Sequence, residues 1–177
     1  MVRLCNELKK YLKENYLPEP EKIFVSDDFY VSYDYDESGE VVDMTLAINC
    51  INQSDYDEWH IEHLKTIGLR KEFEYETLTP YDSLAFAFLH EVGHVATLPN
   101  LTEEEITYSE VLQQCCQLSF QKKVFNGPFN PCFEKTLAFA YWNTPVERLA
   151  QEWIVNMINL FPKMIKDLAA IFQKHVE

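Results

Sequence analysis

The sequence predicts an α+β domain, mostly helical, in which a small antiparallel sheet, a single β-hairpin, packs on one central apolar helix. Three observations carry that prediction. Leu84, Phe86, Phe88, Leu89, Val92 and Val95 cover most of the circumference of one helix, which therefore has to be buried. Residues 23–50 switch to a period of two, the pattern of half-buried paired strands. The segments on either side return to helical spacing. With 177 residues, 47% of them apolar, the chain is sized for one domain over 1–177 with a substantial core, including an N-terminal helix within 1–20 and a C-terminal helix within 162–177.

Taken in order, Leu4, Leu8, Tyr11 and Leu12 recur at helical spacing over residues 2–16, and Pro18 and Pro20 stop that helix. In the hairpin, Phe29, Val31, Tyr33 and Tyr35 alternate with Tyr30, Ser32 and Asp34. Asp36 to Gly39 supplies the turn, after which Val42, Met44, Leu46 and Ile48 alternate with Asp43, Thr45 and Ala47. A second helix is expected over 53–67, with His60 and His63 as exposed polar residues on one face, then a charged, aromatic loop from Arg70 to Glu76. Thr79, Pro80 and Asp82 read as N-cap, first-turn proline and N3 carboxylate, so the central helix begins near residue 80. Thr102 and Glu105 form another capping box. The helix they start is expected to run to about 124 and to bury Ile106, Val111, Leu112, Cys115, Leu118 and Phe120. Gly and Pro between 126 and 131 mark the clearest loop, and residues 132–142 are expected to be helical. Thr144 and Pro145 then open a helix that turns Leu149, Trp153, Ile154 and Met157 inward, and Pro162 ends or kinks it before a last amphipathic helix.

The central helix carries H-E-x-x-H at His90, Glu91 and His94. Residues four apart stand one above the other on a helix, so both imidazoles can reach one metal ion. Glu91 lies about 100° further round, badly placed as a third ligand but well placed to take a proton from a water held there. Gly93 lets another backbone or a substrate approach. Two His and a Glu on a buried helix need partners, and this spacing is the zinc hydrolase pattern. A catalytic zinc site takes three protein ligands and keeps one open position. The extended motif ending x-x-G-x-x-H fails, because Thr97 and Asn100 occupy its Gly and His positions. The third ligand must come from farther along, from Glu103, Glu104, Glu105, Glu110, Glu134, Glu147, Glu152 or His175. Glu147 stands in the first turn of an otherwise apolar helix, where a carboxylate can face a buried site. Equally, Thr144 to Glu147 is a capping box in which Glu147 only bonds the Thr144 backbone N–H, and spacing leaves both readings open. Tyr141 and Tyr108 are candidates for a second donor to the oxyanion or substrate. A hairpin strand at the sheet edge beside the metal would bind an extended peptide by strand addition.

A net charge of −14 argues against a nucleic-acid partner, since phosphate contacts need clustered Lys and Arg. No run approaches the roughly 18 apolar residues of a membrane span. The N-terminus lacks an apolar signal segment, so a cytoplasmic location is expected. Five cysteines, an odd number without a C-x-x-C pair, fit reduced thiols in such a compartment.

Tyr141, Pro145, Glu147, Ala150 and Trp153, following the H-E-x-x-H helix, resemble a segment of small zincin-like domains of phage and bacterial genomes related to the ImmA/IrrE group. In that group a Glu followed by Ala and an aromatic residue on a later helix is the third metal ligand. The resemblance covers roughly residues 24–158 and includes the hairpin. It implies a zincin-like, gluzincin-type metallopeptidase domain in which His90, His94 and Glu147 hold Zn²⁺ and Glu91 is the general base acting on a peptide or protein substrate. The insert between His94 and Glu147 is long and no helix-turn-helix or sensor domain is appended, so the regulatory roles of that group are not implied. The alternative is an acidic binding or inhibitor protein, or a degenerate zincin, whose metal site is structural and which sequesters a basic or peptide partner without cleaving it.

Overall fold

The computed structural model describes residues 1–50, 58–70, 77–125, 136 and 139–176. Its elements are α1 (Val2–Glu14), β1 (Lys22–Ser26), β2 (Tyr30–Tyr35), β3 (Val41–Asn49), α2 (Glu58–Thr66), α3 (Pro80–Thr97), a 3-10 turn (Leu98–Asn100), α4 (Glu103–Phe125), α5 (Pro145–Leu160) and α6 (Met164–Val176). The protein is mixed α+β and mostly helical, with one small sheet.

The sheet runs β1-β3-β2. β2 and β3 form the expected antiparallel hairpin, with Tyr30 opposite Ala47 and Tyr35 opposite Val41. Asp36 Oδ1 accepts hydrogen bonds from Ser38 N (2.8 Å), Ser38 Oγ (2.7 Å) and Glu40 N (3.0 Å), and Gly39 adopts φ 82°, which closes the turn. Between Ser32 and Asp34 the register shifts, and Asp43 takes φ 50° in the resulting bulge. The expectation of a purely antiparallel sheet is corrected by β1, which pairs with the other side of β3 in parallel, Lys22 opposite Thr45 and Ser26 opposite Asn49. Parallel strands need a long crossover rather than a tight turn, so no local signal announced the pairing. As a result β3 is the central strand, with Leu46, Ala47 and Ile48 fully buried, and β2 is left at an edge.

Helix α3 is buried along nearly its whole length because no face of it is polar enough to meet water. Its start is a complete capping box: Asp82 N donates to Thr79 Oγ1 (3.2 Å) and Thr79 N donates to Asp82 Oδ2 (2.7 Å). Lys166 of α6 donates to the same carboxylate at 2.7 Å. α3 packs against α5, α6 and the β2 and β3 strands, and Phe88 meets Phe172 of α6 edge to face at 6.0 Å. α1 buries Leu4, Leu8 and Leu12, each worth about 1.5–3 kcal/mol of transfer free energy, and packs against α6 and β1.

The close approach expected at Gly93 is to a backbone. A Cβ built there would lie 2.8 Å from the carbonyl oxygen of Ala150 on α5, an atom that cannot swing aside. Gly93→Ala therefore destabilises the fold by about 1–3 kcal/mol although alanine is the better helix former by about 1 kcal/mol. In a domain of this size each kcal/mol lowers Tm by about 2–4 °C, which thermal unfolding reads directly. An unchanged or raised Tm would contradict the contact.

Two helices, α4 and α5, differ from the periodicity. α2 is described over Glu58–Thr66, within the 53–67 expected. In α4, Ile106 is buried but Val111, Cys115 and Leu118 are exposed and Leu112 is half-buried. Apolar residues lie on both faces of α4, and among the described residues its main packing is against α5. In α5 the buried stripe is Glu147, Ala150, Gln151, Ile154, Val155 and Ile158, while Leu149, Trp153 and Met157 are half-buried. Residues 139–142 are helical, as expected for the end of 132–142. The expected loops at 71–76 and 126–131, residues 53–57, Glu134 and the Phe120 side chain lie outside the described residues. Among the described residues, no helix is long and apolar enough to cross a membrane.

Candidate functional site

The α5 stripe explains why Glu147 faces inward: at a period of 3.6 it heads the same face as Ala150, Gln151, Ile154 and Ile158. Thr144 Oγ1 caps α5 through Glu147 N at 3.5 Å, but the Glu147 carboxylate does not return to the Thr144 N–H, which donates to the Tyr141 carbonyl at 2.9 Å. The capping-box reading of Glu147 is thus set aside, and its carboxylate crosses to α3. His90 Nε2 is 3.1 Å from Glu147 Oε2 and His94 Nε2 is 3.6 Å from Oε1, while the two Nε2 atoms are 3.1 Å apart. Tyr141 OH donates to Glu147 Oε1.

These distances can be compared with the demands of an ion. Bonds of about 2.0–2.1 Å in a tetrahedron put neighbouring ligand atoms about 3.3–3.4 Å apart. The separations, 3.1 Å between the two Nε2 atoms, 3.1 Å from His90 to Glu147 Oε2 and 3.6 Å from His94 to Glu147 Oε1, lie on either side of that length. Donor atoms of His90, Glu91 and His94 also lie within 4.8 Å of one another, a buried group able to hold a metal ion.

Burial raises the carboxyl of Glu91 to about 7; the neighbouring His90 opposes this, and the charges of Glu147 and Asp28 add to it. For Glu147 burial also acts upward, but the His94 charge, the His90 hydrogen bond and charge, and the Tyr141 hydrogen bond outweigh it and hold the group at about 2. His94 is pushed down to about 4 by burial, against the attraction of Glu147. His90 loses to burial but gains more from Glu147 and Glu91, and ends above its ordinary value of 6.5. The three groups are thus prepared differently: Glu147 is held ionised, His94 is held neutral, and His90 is shifted toward its protonated form.

The group lies at the base of a cleft of about 690 Å³. Strand β2 and its preceding residues Asp28 and Phe29 form one wall, Ser109, Glu110 and Gln113 of α4 another, and Tyr141 and Trp142 a third. Asn49 donates its amide to the Asp27 carbonyl at 2.7 Å, which ties the loop before β2 to the central strand. Tyr33 OH donates to Glu110 Oε1 at 2.6 Å across the cleft.

Of the candidates from sequence, the structure brings His90, His94, Glu91, Glu147 and Tyr141 together. Tyr108 is 57% exposed on α4 and does not line the cleft. Glu103, Glu104 and Glu105 sit in the first turn of α4, Glu152 pairs with Arg148 at 3.4 Å, and His175 pairs with Glu7 at 2.6 Å. His60 and His63 are half-buried rather than exposed: His63 Nε2 is 2.8 Å from Gln151 Oε1, and His60 packs edge-on to Trp142 with ring centres 4.8 Å apart. Trp142, whose ring centre is 5.9 Å from that of His90, was not singled out by periodicity because it falls where a helix ends. Its only signal was position, one residue from Tyr141. No family model matches this chain, and no curated protein or solved structure is significantly similar to it.

Proposed function

We propose that this protein is a zinc-dependent peptidase in which His90, His94 and Glu147 hold the ion and Glu91 is the general base. The observation that carries the reading is the convergence of two imidazoles from α3 and one ionised carboxylate from α5 at the mutual spacing of tetrahedral ligands. Glu147 is the third ligand rather than Glu91, because it reaches both Nε2 atoms and is ionised, whereas Glu91 holds its proton up to about 7.

When bound, the ion supplies Lewis acidity, polarising a substrate carbonyl and making water nucleophilic at neutral pH. Glu91, at the cleft base, accepts the proton of the attacking water and passes it to the departing amine. A base whose pKa sits near the working pH is suited to both transfers. Tyr141 acts as a positioning residue: its hydroxyl is given to Glu147, fixing the carboxylate that faces the imidazoles. β2 is an edge strand among the described residues and lines the cleft, where an extended peptide can add as a further strand.

The pH dependence of metal uptake follows from His90. Its pKa is raised, so below that value the ion has to displace a proton; His94 stays neutral down to about 4 and Glu147 ionised down to about 2. Affinity is therefore flat above the His90 pKa and falls as pH drops through it, with a slope of about one proton per ion. Competition with a zinc chelator from pH 8 to pH 5 measures this, and a pH-independent affinity would contradict it. The function itself is tested by metal analysis of the purified protein together with digestion of a mixed peptide pool read by mass spectrometry. One zinc per chain and new peptide termini are expected; zinc without cleavage would leave only the binding role.

A further inference from the structure

Asp28 and Glu110 are two cleft carboxylates that the proposed chemistry leaves unused. Among the described residues lining the cleft, Asp28, Glu91, Glu110 and Glu147 are acidic and none is Lys or Arg. Asp28 and Glu110 stand on the cleft walls, apart from the residues that would hold a cation at the base, and no basic side chain of the lining offsets them. The residues are also built to receive a particular shape of charge. Tyr33 OH holds Glu110 Oε1 at 2.6 Å, which fixes the carboxylate, and Tyr35 stands edge to face with Tyr33 at 5.7 Å. A fixed carboxylate beside aromatic rings suits a cation on a flexible apolar stem, because the stem covers the rings and the charge meets the acid. Independently of these two acids, Glu91 is only 8% exposed, opens on the same cleft and accepts no hydrogen bond from a described residue. The cleft therefore offers a buried polar side chain without a described partner at its floor beside the two acids of its walls.

We propose that the cleft selects peptides carrying lysine or arginine beside the bond to be cut, the cation being received by Glu110 against Tyr33 and Tyr35 in the field of Asp28. The assignment rests on the peptidase reading for the words "bond to be cut", but the preference itself is a property of binding. Peptides with an acidic residue at that place meet the same field with the opposite sign and are rejected.

The test uses the full chain loaded with zinc and carrying Glu91→Gln, so that bound peptides are not consumed. Fluorescently labelled nonapeptide pools, identical except for a fixed central Lys, Arg, Gln or Glu, are titrated by anisotropy. The Lys and Arg pools should bind about tenfold tighter than the Gln pool, with Glu weakest, and raising salt from about 50 to about 300 mM should shrink the spread. Adding Glu110→Gln, which keeps an oxygen for the Tyr33 hydroxyl, should cut the Lys-to-Glu ratio by at least about fivefold, and Asp28→Asn should cut it further. Equal binding of the Lys and Glu pools, or a ratio that neither substitution moves, overturns the proposal. Digestion of the same pools by the wild-type protein separates the two readings. Cleavage without a basic preference leaves the peptidase and removes the selectivity; a basic preference in binding without cleavage does the reverse.

Discussion

Under the proposed function, Glu91→Gln should retain zinc and lose hydrolysis, with kcat/KM lower by about 10²–10⁴, the range contributed by a positioned general base. The amide has the size of the acid and the site is closed around it, with Glu91 8% exposed, so the substitution changes chemistry without opening a cavity. The fold should even gain slightly near neutral pH. A buried carboxyl raised from 4.5 to about 7 binds its proton more tightly in the folded chain than in the unfolded one. The contribution of this group to folded-state stability is therefore fully present below pH 4.5 and is lost as pH rises through about 7, where the buried group is forced to ionise. An amide does not titrate and escapes that decline. The check is a paired measurement of zinc content, Tm across pH 5 to 8 and turnover. Full turnover with Gln at 91 would remove Glu91 from the mechanism.

Glu147→Ala should have the second large effect, on the metal instead of the base. It removes a buried carboxylate that lies 3.1 Å from His90 Nε2 and 3.6 Å from His94 Nε2. Zinc affinity should fall by well over the 10–100-fold that follows loss of an outer-shell partner. The metal-free fold should also lose about 1–3 kcal/mol, because the buried His90 ring loses its hydrogen bond to the carboxylate. Zinc stoichiometry and chelator competition read the first effect and thermal unfolding of the metal-free protein the second. Tyr141→Phe, which frees Glu147 Oε1 without touching the imidazoles, should weaken zinc binding less than Glu147→Ala does. If Glu147→Ala binds zinc as the wild type does, the third ligand is another group, and Glu91, within 4.8 Å of both His, becomes the candidate.

Much of the site was legible because its spacing is local. His90 and His94 share a helix face whatever else the chain does, and the apolar residues around them demanded burial. Thr79 and Asp82 announced where that helix starts, and the alternation from Phe29 to Ile48 with the Asp36 to Gly39 turn announced the hairpin. Glu147 was undecided for a physical reason: a carboxylate at the third position of a helix satisfies a cap or a site equally well, and only the direction of α5 chooses. The packing of Ala150 against Gly93 settles that direction, because a glycine lets the two helices meet backbone to backbone and thereby delivers Glu147, one turn earlier, to the imidazoles. The half-buried His60 and His63 and the exposed face of α4 depart from the expectation because their surroundings are set by α5 and Trp142, which lie far along the chain and which periodicity does not record.

By itself the sequence determined an α+β chain built on one buried helix, a hairpin beside it, and a pair of imidazoles one turn apart with an acid between them. Those features depend on covalent neighbours and on the periods of helix and strand, which are the same in every context. The tertiary structure decided the parallel strand β1, the edge position of β2, the partner of the imidazoles and the acidic walls of the cleft. Each of these joins residues far apart along the chain, and such meetings are selected by how whole faces pack, a property no stretch of sequence carries alone.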